Sequence, residues 1–455
     1  MRRQLFVTVS AIAAAVLVVA AQAPPQPAVA FVGVSVIPMD RERVIQNQTV
    51  VVRGGRIAEI GPAGKVALGA GTKMVDGKNR YLIPALAEMH AHIPPGDNVP
   101  DAEIERVLFM YAAKGAGTAR GMLGHRRHLA WRERAAKAEI FSPVIFTSGP
   151  SLSGNSAPAP DAAEKMVREQ KAAGFDFLKI HPGLSREAFD AMVRTAREVG
   201  IPFAGHVPAD VGLARALEAR YATIDHLDGY VEALAKPGAP SPSQTFGLNL
   251  VAHVDESRVP ELVKQTRVAG TAIVPTEILL ENWVGEEDPE LMAKRPEMRY
   301  VEPAVVRKWV EQKRTFEKVP VEDRRRFIAL RRRLIKALHD GGVPILLGSD
   351  APQTWNVPGF SLHRELQTYV AAGLTPYEAL ATGTRNVAAF FRREREAGTI
   401  EIGKRADLVL LDGNPLADIT QTENIAGVML GGRWMTREEI QRRLDGYARG
   451  TATAR

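Results

Sequence analysis

The feature that most constrains this fold is a repeat in the middle of the chain, in which a short apolar segment is followed by a loop and an amphipathic helical segment. The apolar segments read LIPALAEMHAH, GAGTARGML, PVIFTSGP, FDFLKI, IPFAGH, YATIDH, TAIVPT and PILLGSD. Eight strands that alternate with helices are typical of a (β/α)8 barrel. The sequence therefore predicts an α/β fold with a (β/α)8 TIM barrel over residues 81–397. One of its helices is predicted over 185–199, with Ser185 as the N-cap.

Both ends of the chain have a different texture, in which apolar and polar residues alternate as they do in strands. This pattern covers residues 31–80, where Gly54 and Gly55 mark a hairpin turn, and it returns over 398–440. We expect a small β-sandwich domain built from both chain ends. The charged stretch 282–341 interrupts the repeat, and we expect it to form a helical insertion above the barrel mouth.

The first residues predict a secretory signal peptide over 1–23, because Arg2 and Arg3 precede an apolar run that ends in small residues. Cleavage after Ala21 fits the small-residue rule, and an uncleaved membrane anchor is the alternative. We expect an exported protein, periplasmic or secreted, without stable membrane insertion once the signal is removed. The chain contains no cysteine, which excludes disulfides and thiolate metal sites.

The formal net charge is +7, and much of the basic charge lies between Lys294 and Lys336, interleaved with acidic residues. This interleaving is typical of solvated helix faces, and a nucleic acid or an anionic membrane is the alternative partner. We expect a small-molecule substrate and no nucleic acid. A homo-oligomer is compatible with the sequence.

Several predicted strands end in residues that can bind a metal, and catalytic groups of such barrels lie at the C-terminal ends of the strands. These residues are His90, His92, Lys179, His206, His226 and Asp350. Taken singly, His206 could be an ordinary loop histidine, Asp350 a helix cap, and Lys179 a lysine that extends to solvent. Taken together, nitrogen and oxygen ligands suit zinc, and also manganese, iron, cobalt or nickel.

Six segments of this chain resemble the metal-dependent amidohydrolase superfamily, in the branch of imidazolonepropionase-like and Xaa-Pro dipeptidase-like hydrolases. They read LIPALAEMHAH, FLKIHPGLSREAF, IPFAGHVP, TIDHLDGY, ILLGSDAP and EALATGTRNVAAFF, and the last continues to GTIEIGKRADLVLLDGNP. The resemblance implies two divalent metal ions, with zinc favoured, and six residues that hold them: His90, His92, Lys179, His206, His226 and Asp350.

Within that resemblance, Lys179 would bridge the two metals as a carbamate, and Asp350 would also hold the catalytic water. Carboxylation has a physical logic, since an ammonium offers no lone pair, whereas a carbamate is an anion with two oxygens. Two positions depart from the family pattern. Ala85 follows Pro84 where glycine is common, so strain at Ala85 is expected, and Glu88 replaces an aspartate that would orient a ligand histidine.

The predicted function is an exported binuclear hydrolase that cleaves amide-type C–N bonds in a dipeptide, an N-acyl amino acid or a cyclic amide. A metal-bridging hydroxide would attack, and Asp350 would act as the catalytic base. One alternative is a mononuclear deaminase of the same fold, although the glutamate expected three residues after His206 is Ala209. The other is a non-catalytic exported binding protein, which the complete ligand set argues against.

The residues predicted to contact the substrate lie in the loops after the strands. They are His181, Tyr230 and Arg364, with Ser153, Asn155 and His363 as further candidates.

Overall fold

The computed structural model describes residues 27–242 and 245–452, so the predicted signal peptide lies outside the described residues. The strands are β1 Val29–Val36, β2 Ile45–Arg53, β3 Arg56–Pro62, β4 Lys73–Asp76, β5 Tyr81–Pro84, β6 Leu86–Ala91, β7 Ala116–Gly121, β8 Val144–Thr147, β9 Leu178–Ile180, β10 Phe203–Gly205, β11 Thr223–Asp225, β12 Ala272–Val274, β13 Leu408–Leu411, β14 Ile425–Leu430 and β15 Arg433–Thr436.

The helices are α1 Asp101–Ala113, α2 Arg127–Ala136, α3 Pro160–Ala173, α4 Arg186–Val199, α5 Gly212–Glu218, α6 Tyr230–Ala233, α7 Val259–Ala269, α8 Glu277–Val284, α9 Pro289–Met292, α10 Pro303–Phe316, α11 Val321–Asp340, α12 Phe360–Ala371, α13 Pro376–Thr382, α14 Arg385–Phe390 and α15 Arg437–Ala452. Short 3₁₀ helices cover Leu248–His253, Glu256–Arg258, Pro296–Tyr300 and Ile419–Glu423. The predicted cap of α4 is confirmed, because the Ser185 hydroxyl accepts a hydrogen bond from Ala188 N at 3.2 Å.

Strands from both ends of the described chain join in one sheet of eight strands, ordered β15-β14-β13-β5-β1-β2-β3, with β4 paired to β1. The two ends meet where β5 pairs antiparallel with β13, which sets Leu82 opposite Leu410. An apolar cluster packs on this sheet and includes Phe31, whose ring meets the edge of Trp434 at 5.0 Å between centroids. All eight strands are hydrogen-bonded into a single sheet, so a sandwich of two sheets is not confirmed.

The middle of the chain forms two parallel sheets, β6-β7-β8 and β9-β10-β11-β12 in spatial order. A parallel bridge between Ser148 and Phe177 connects the two sheets. Another, between Ile345 and Ile273, connects the predicted eighth segment to β12. The predicted eighth strand, 344–350, also reaches β6, because Met89 N donates to Leu347 O at 2.8 Å. The eight predicted segments are therefore connected in chain order by strand pairs and isolated bridges, and the last also bonds to the first.

The segment LIPALAEMHAH is divided between the two regions, since β5 belongs to the large sheet and β6 to the parallel one. Ala85 lies at this division, and its φ is not positive. The strain expected at Ala85 is therefore wrong. Gly117 supplies the room that Ala85 needs, because a Cβ on Gly117 would lie only 2.7 Å from the Ala85 Cβ.

The charged insertion forms helices α9 to α11, and its basic side chains are matched by acidic ones. Arg325 binds Glu286 at 2.7 Å, and Arg333 binds Glu256 at 2.7 Å. This pairing agrees with solvated helix faces rather than with a basic surface for an anionic partner. Among the described helices, none has the length and apolar character needed to cross a bilayer.

Candidate metal centre

The six residues predicted as metal ligands meet at one end of the parallel strands. His90 lies in β6 and Lys179 in β9, while His206 and His226 directly follow β10 and β11. His92 and Asp350 lie next to each other, because Ala91 pairs with Ala351 and His92 N donates to Ala351 O at 2.7 Å. Carboxyl ends of parallel strands therefore bring these side chains into one cavity.

His90, His92 and Asp350 come close enough to share one ion, since one ligand atom from each lies within 4.8 Å of the others. His92 Nε2 lies 3.1 Å from Asp350 Oδ1, and His90 Nε2 lies 3.8 Å from the same oxygen. Burial, and then the charge of Lys179, lower the pKa of His90 well below its usual range. The imidazole of His90 is therefore neutral, as a metal ligand must be.

Lys179 is fully buried, with 0% exposure. Its Nζ lies 3.5 Å from His90 Nε2 and 3.8 Å from Asp225 Oδ2. Burial lowers the pKa of Lys179, although Asp225 opposes this effect. The alternative of a lysine that extends to solvent is wrong, because the ammonium position is enclosed. Gly205 makes room for the lysine stem, since a Cβ there would lie 2.8 Å from Lys179 Cδ.

His206 and His226 form the second half of the cluster, with 4.6 Å between their ring centroids. His206 Nδ1 lies 3.0 Å from Asp228 Oδ2, which also accepts a hydrogen bond from Val207 N. Burial raises the pKa of Asp228 to about 7. The contact between Asp228 Oδ2 and His206 Nδ1 fixes the orientation of the His206 ring.

His226 adopts a left-handed backbone, with φ 63°. Its Nδ1 lies 2.7 Å from Thr276 Oγ1, and its carbonyl accepts a hydrogen bond from Arg331 Nη1 at 2.9 Å. Arg331 belongs to α11 and is buried beside Glu277, which it binds at 2.8 Å. The insertion thus reaches the end of β11 and supports a strained backbone there.

Glu88 is buried, and burial raises its pKa to about 7. Its carboxylate accepts hydrogen bonds from His90 N at 3.0 Å and from Ser349 N at 2.8 Å. Glu88 therefore contacts the predicted ligand His90 as expected, but through the His90 backbone N–H. It also joins the first strand of the repeat to the last.

The substrate candidates differ in where their polar atoms lie. His181 is half-buried beside the cluster, with its ring centroid 5.3 Å from that of His206. The Tyr230 hydroxyl lies 2.7 Å from Thr266 Oγ1, and Arg364 pairs with Glu297. Of these three predictions, the contacts favour only His181, because the polar ends of Tyr230 and Arg364 are already partnered.

Two of the further candidates, Ser153 and His363, are likewise occupied by local contacts. Ser153 Oγ lies 3.2 Å from Ser156 Oγ. His363 Nε2 lies 3.0 Å from the Lys114 carbonyl, and burial lowers the pKa of His363 to about 3.

Sequence reasoning missed five residues that support the cluster: Arg120, Asp225, Asp228, Thr276 and Arg331. Asp225 and Asp228 lie in the segment TIDHLDGY beside the predicted ligand His226, so their spacing was an available signal. Arg120, Thr276 and Arg331 come from distant parts of the chain, where no local pattern marks them.

The residues present fit a metal centre by two independent observations. Histidine nitrogens and carboxylate oxygens are the donors that zinc and related ions prefer. Within the described part of the chain, Asp350 Oδ1 is buried and accepts no hydrogen bond. Buried carboxylate oxygens normally have a partner, so a positive group is expected beside them.

The cluster has two sides that differ in exposure. The closed side consists of His90, Lys179 and Asp225, none of which exceeds 1% exposure. The open side consists of His92, His181 and His206. The His92 and His206 side chains are 17% and 14% exposed.

The fold and this cluster define the class of metal-dependent hydrolases. A model of the Amidohydrolase family matches residues 81–435 of this sequence. The chain therefore belongs to the amidohydrolase family and is an enzyme of the class that hydrolyses carbon–nitrogen bonds.

Relatives of known function are similar over most of this chain. Imidazolonepropionase of Maricaulis maris is 26% identical over 431 residues, which cover 86% of this chain and 94% of that protein. Adenine deaminase of Mesorhizobium japonicum is 24% identical over 407 residues and 85% of this chain. The match spans only about half, 54%, of the deaminase.

Solved structures share the fold. Bottromycin amidohydrolase has a TM-score of 0.71 with 21% identity, over 93% of this chain and 90% of its own. A Xaa-Pro dipeptidase with bound methionine in its active site has a TM-score of 0.64 with 20% identity, over 90% of this chain and 100% of its own. At these identities the likeness concerns the fold alone.

Proposed function

We propose that this chain is an exported binuclear hydrolase built on a (β/α)8 barrel. It cleaves amide-type C–N bonds in dipeptides, N-acyl amino acids or cyclic amides. One observation carries the proposal: Lys179, with 0% exposure, points its Nζ to within 3.5 Å of His90 Nε2 beside the cluster of His90, His92 and Asp350. A buried lysine without a full counter-ion is costly, and conversion to an anion between metal ions removes that cost.

The metal ions would be held on two sides of Lys179. His90, His92 and Asp350 would hold one, and His206 and His226 the other. When bound, two divalent ions activate water at neutral pH and polarise the substrate carbonyl. Zinc is the favoured metal, because neutral imidazoles dominate the donor set.

Lys179 would bridge the ions as a carbamate. The neutral amine attacks carbon dioxide, a nitrogen–carbon bond forms, and one proton leaves to solvent, so the product is an anion with two oxygens. Burial favours the neutral amine by lowering the pKa of Lys179. Gly205 has no side chain, so the space beside it is available to the methylene stem of Lys179.

Asp350 would act as the base. Its Oδ1 accepts no hydrogen bond from the described residues, so it is free to take a proton from the attacking water. Burial raises the pKa of Asp350, which makes the carboxylate a stronger base. Asp350 can then return that proton to the leaving nitrogen.

The substrate would enter from the open side, where His181 and His92 are reachable. A Xaa-Pro dipeptidase shares the fold, and a dipeptide is among the substrates proposed for this chain. The adenine deaminase match makes deamination the competing function. A non-catalytic binding protein is not adopted, because the chain belongs to an enzyme family.

The central test combines metal analysis with a substrate screen. We expect about two metal ions per chain, and hydrolysis of members of a library of dipeptides, N-acyl amino acids, cyclic amides and lactones. Adenine is included, since ammonia release from adenine alone would favour the deaminase. One ion or none at full loading would contradict the binuclear centre.

Asp350→Asn provides the matched kinetic test. We expect this variant to keep its metal and to lose about 10²-fold to 10⁴-fold in kcat. Asp340→Asn, at a surface carboxylate paired with Lys336, is the control and should retain full activity. Unchanged turnover in Asp350→Asn would exclude Asp350 as the base.

Export rests on residues 1–23 and needs its own measurement. Mass spectrometry of protein recovered from the periplasm or medium should find a mature chain that begins after Ala21. A full-length chain that stays with the membrane fraction would favour the anchor.

A further inference from the structure

Two buried residues without a role in the proposed chemistry, Arg120 and Asp225, connect three strands behind His90. We propose that Arg120 and Asp225 are positioning residues that hold His90 with its Nε2 directed at the metal ions. This inference rests on the proposed metal centre.

Asp225 faces the closed side from β11. Its Oδ1 accepts hydrogen bonds from Thr223 Oγ1 at 2.8 Å and from Arg120 Nη2 at 3.3 Å. Its Oδ2 lies 3.0 Å from His90 Nδ1 and 3.8 Å from Lys179 Nζ. Neither Oδ2 nor His90 Nδ1 makes a hydrogen bond within the described residues, and the carboxylate lies close enough to attract a proton on that nitrogen.

Arg120 forms hydrogen bonds both to β6, which carries His90, and to β11, which carries Asp225. Its Nε donates to Met89 O at 2.7 Å, directly before His90, and its Nη1 donates to Thr223 Oγ1 at 3.0 Å. Arg120 is 1% exposed, and Phe177 lies beside its guanidinium at 5.4 Å. The guanidinium thus joins the backbone of β6 to the carboxylate that faces the His90 ring. A planar fork of donors suits this task, and a lysine could not make all three bonds.

This arrangement selects one tautomer of His90. A carboxylate beside Nδ1 favours the proton on that nitrogen, which leaves the lone pair on Nε2. Nε2 faces the other ligands, since it lies 3.5 Å from Lys179 Nζ and 3.8 Å from Asp350 Oδ1. The nitrogen that can bind a metal is therefore the one that points into the cluster.

Asp225→Asn reverses this preference with little change in shape. Oδ1 keeps its two donors, so the new amide nitrogen takes the place of Oδ2 and donates to His90 Nδ1. The His90 proton then moves to Nε2, where it blocks the metal. We expect zinc affinity to fall about 10-fold to 100-fold, measured by competition with a chromophoric chelator. Unchanged affinity would overturn the proposal.

Arg120→Lys and Arg120→Met test the other half of the pair. We expect zinc affinity to decrease in the order native, Arg120→Lys, Arg120→Met, because the lysine keeps the charge and loses the fork. Arg324→Met is the control for the loss of a buried arginine, since Arg324 donates to Val284 O at 3.0 Å, away from the cluster. It should lower the midpoint of thermal unfolding and leave zinc affinity unchanged. Equal zinc affinity in all four proteins would overturn the role of Arg120.

A measurement on the native protein keeps the proposal testable if these variants fail to fold. In zinc-loaded protein with ¹⁵N-labelled histidine, the His90 signal should show a protonated Nδ1 and a metal-bound Nε2. A metal-bound Nδ1 would overturn the proposal. Failure of the native protein to bind zinc would instead contradict the proposed metal centre, so the two failures are distinguishable.

Discussion

The closed and open sides of the metal centre contain similar residue types but are held in different ways. On the closed side, His90 and Lys179 are enclosed, and Arg120 and Asp225 connect them to three strands. On the open side, His181 makes no such link and lies beside His206 at 5.3 Å between ring centroids. The difference teaches that the enclosed residues are fixed by hydrogen bonds to several strands, whereas His181 is the residue that we expect to contact the substrate.

The largest expected effect comes from breaking the closed side at Lys179. Lys179→Ala should lower kcat/KM about a thousandfold, since the proposed metal bridge would supply several kcal/mol. Short carboxylic acids such as propionate should restore part of the activity by replacing the carbamate. Steady-state kinetics with and without propionate measure both effects.

Lys171→Ala is the control for this variant, because Lys171 lies on the surface, where its Nζ donates to Gly200 O at 2.9 Å. It should retain native kinetics. Full activity in Lys179→Ala would make Lys179 a bystander and remove the main distinction between the two sides.

The next largest effect is expected where α11 supports His226, in the second half of the cluster. Arg331→Met leaves Glu277 buried and unpaired, and it removes the donor to the His226 carbonyl. We expect the free energy of unfolding in urea to fall by about 3–5 kcal/mol. Arg333→Met removes an exposed pair with Glu256 and should cost less than about 1 kcal/mol.

The pH dependence of Arg331→Met sharpens this test. Burial raises the pKa of Glu277 from 4.5 to about 7, so the folded state binds the proton more tightly than the unfolded chain. The stability from the protonated form is therefore lost as pH rises from about 4.5 through 7. Without Arg331 this raised pKa increases further, so the destabilisation should be larger at pH 8 than at pH 5.5. Equal destabilisation at both pH values would contradict an uncompensated Glu277.

The smallest effect is expected on the open side. His181→Gln should raise KM about tenfold, the loss of one hydrogen bond, with zinc affinity unchanged. Burial lowers the pKa of His181 to about 3, so His181 does not provide the acid limb of the native pH profile. The acid limb of the native pH profile should therefore persist in the variant. Loss of zinc from His181→Gln would show that His181 itself binds metal rather than the substrate.

The order of strands and helices could be predicted because apolar periodicity is a local property. The six predicted ligands meet, since the C-terminal ends of parallel strands share one edge. The alternation of apolar and polar residues could not distinguish one sheet from a sandwich of two. It does not show whether β5 pairs with β13 in the same sheet or packs against it from a second sheet. The strain expected at Ala85 was wrong because its φ is not positive, a backbone angle that is set by the division of the segment between β5 and β6.

The sequence by itself determined which chemistry is available, because histidines, a lysine and an aspartate at strand ends carry their donor atoms wherever the strands lie. The tertiary structure alone decided which nitrogen of His90 faces the cluster. That choice depends on Arg120 and Asp225, which are 105 positions apart and meet only when β7 and β11 share one interior. A residue type is a local property, but the enclosure and the partner that direct its chemistry arise from contacts between distant parts of the chain.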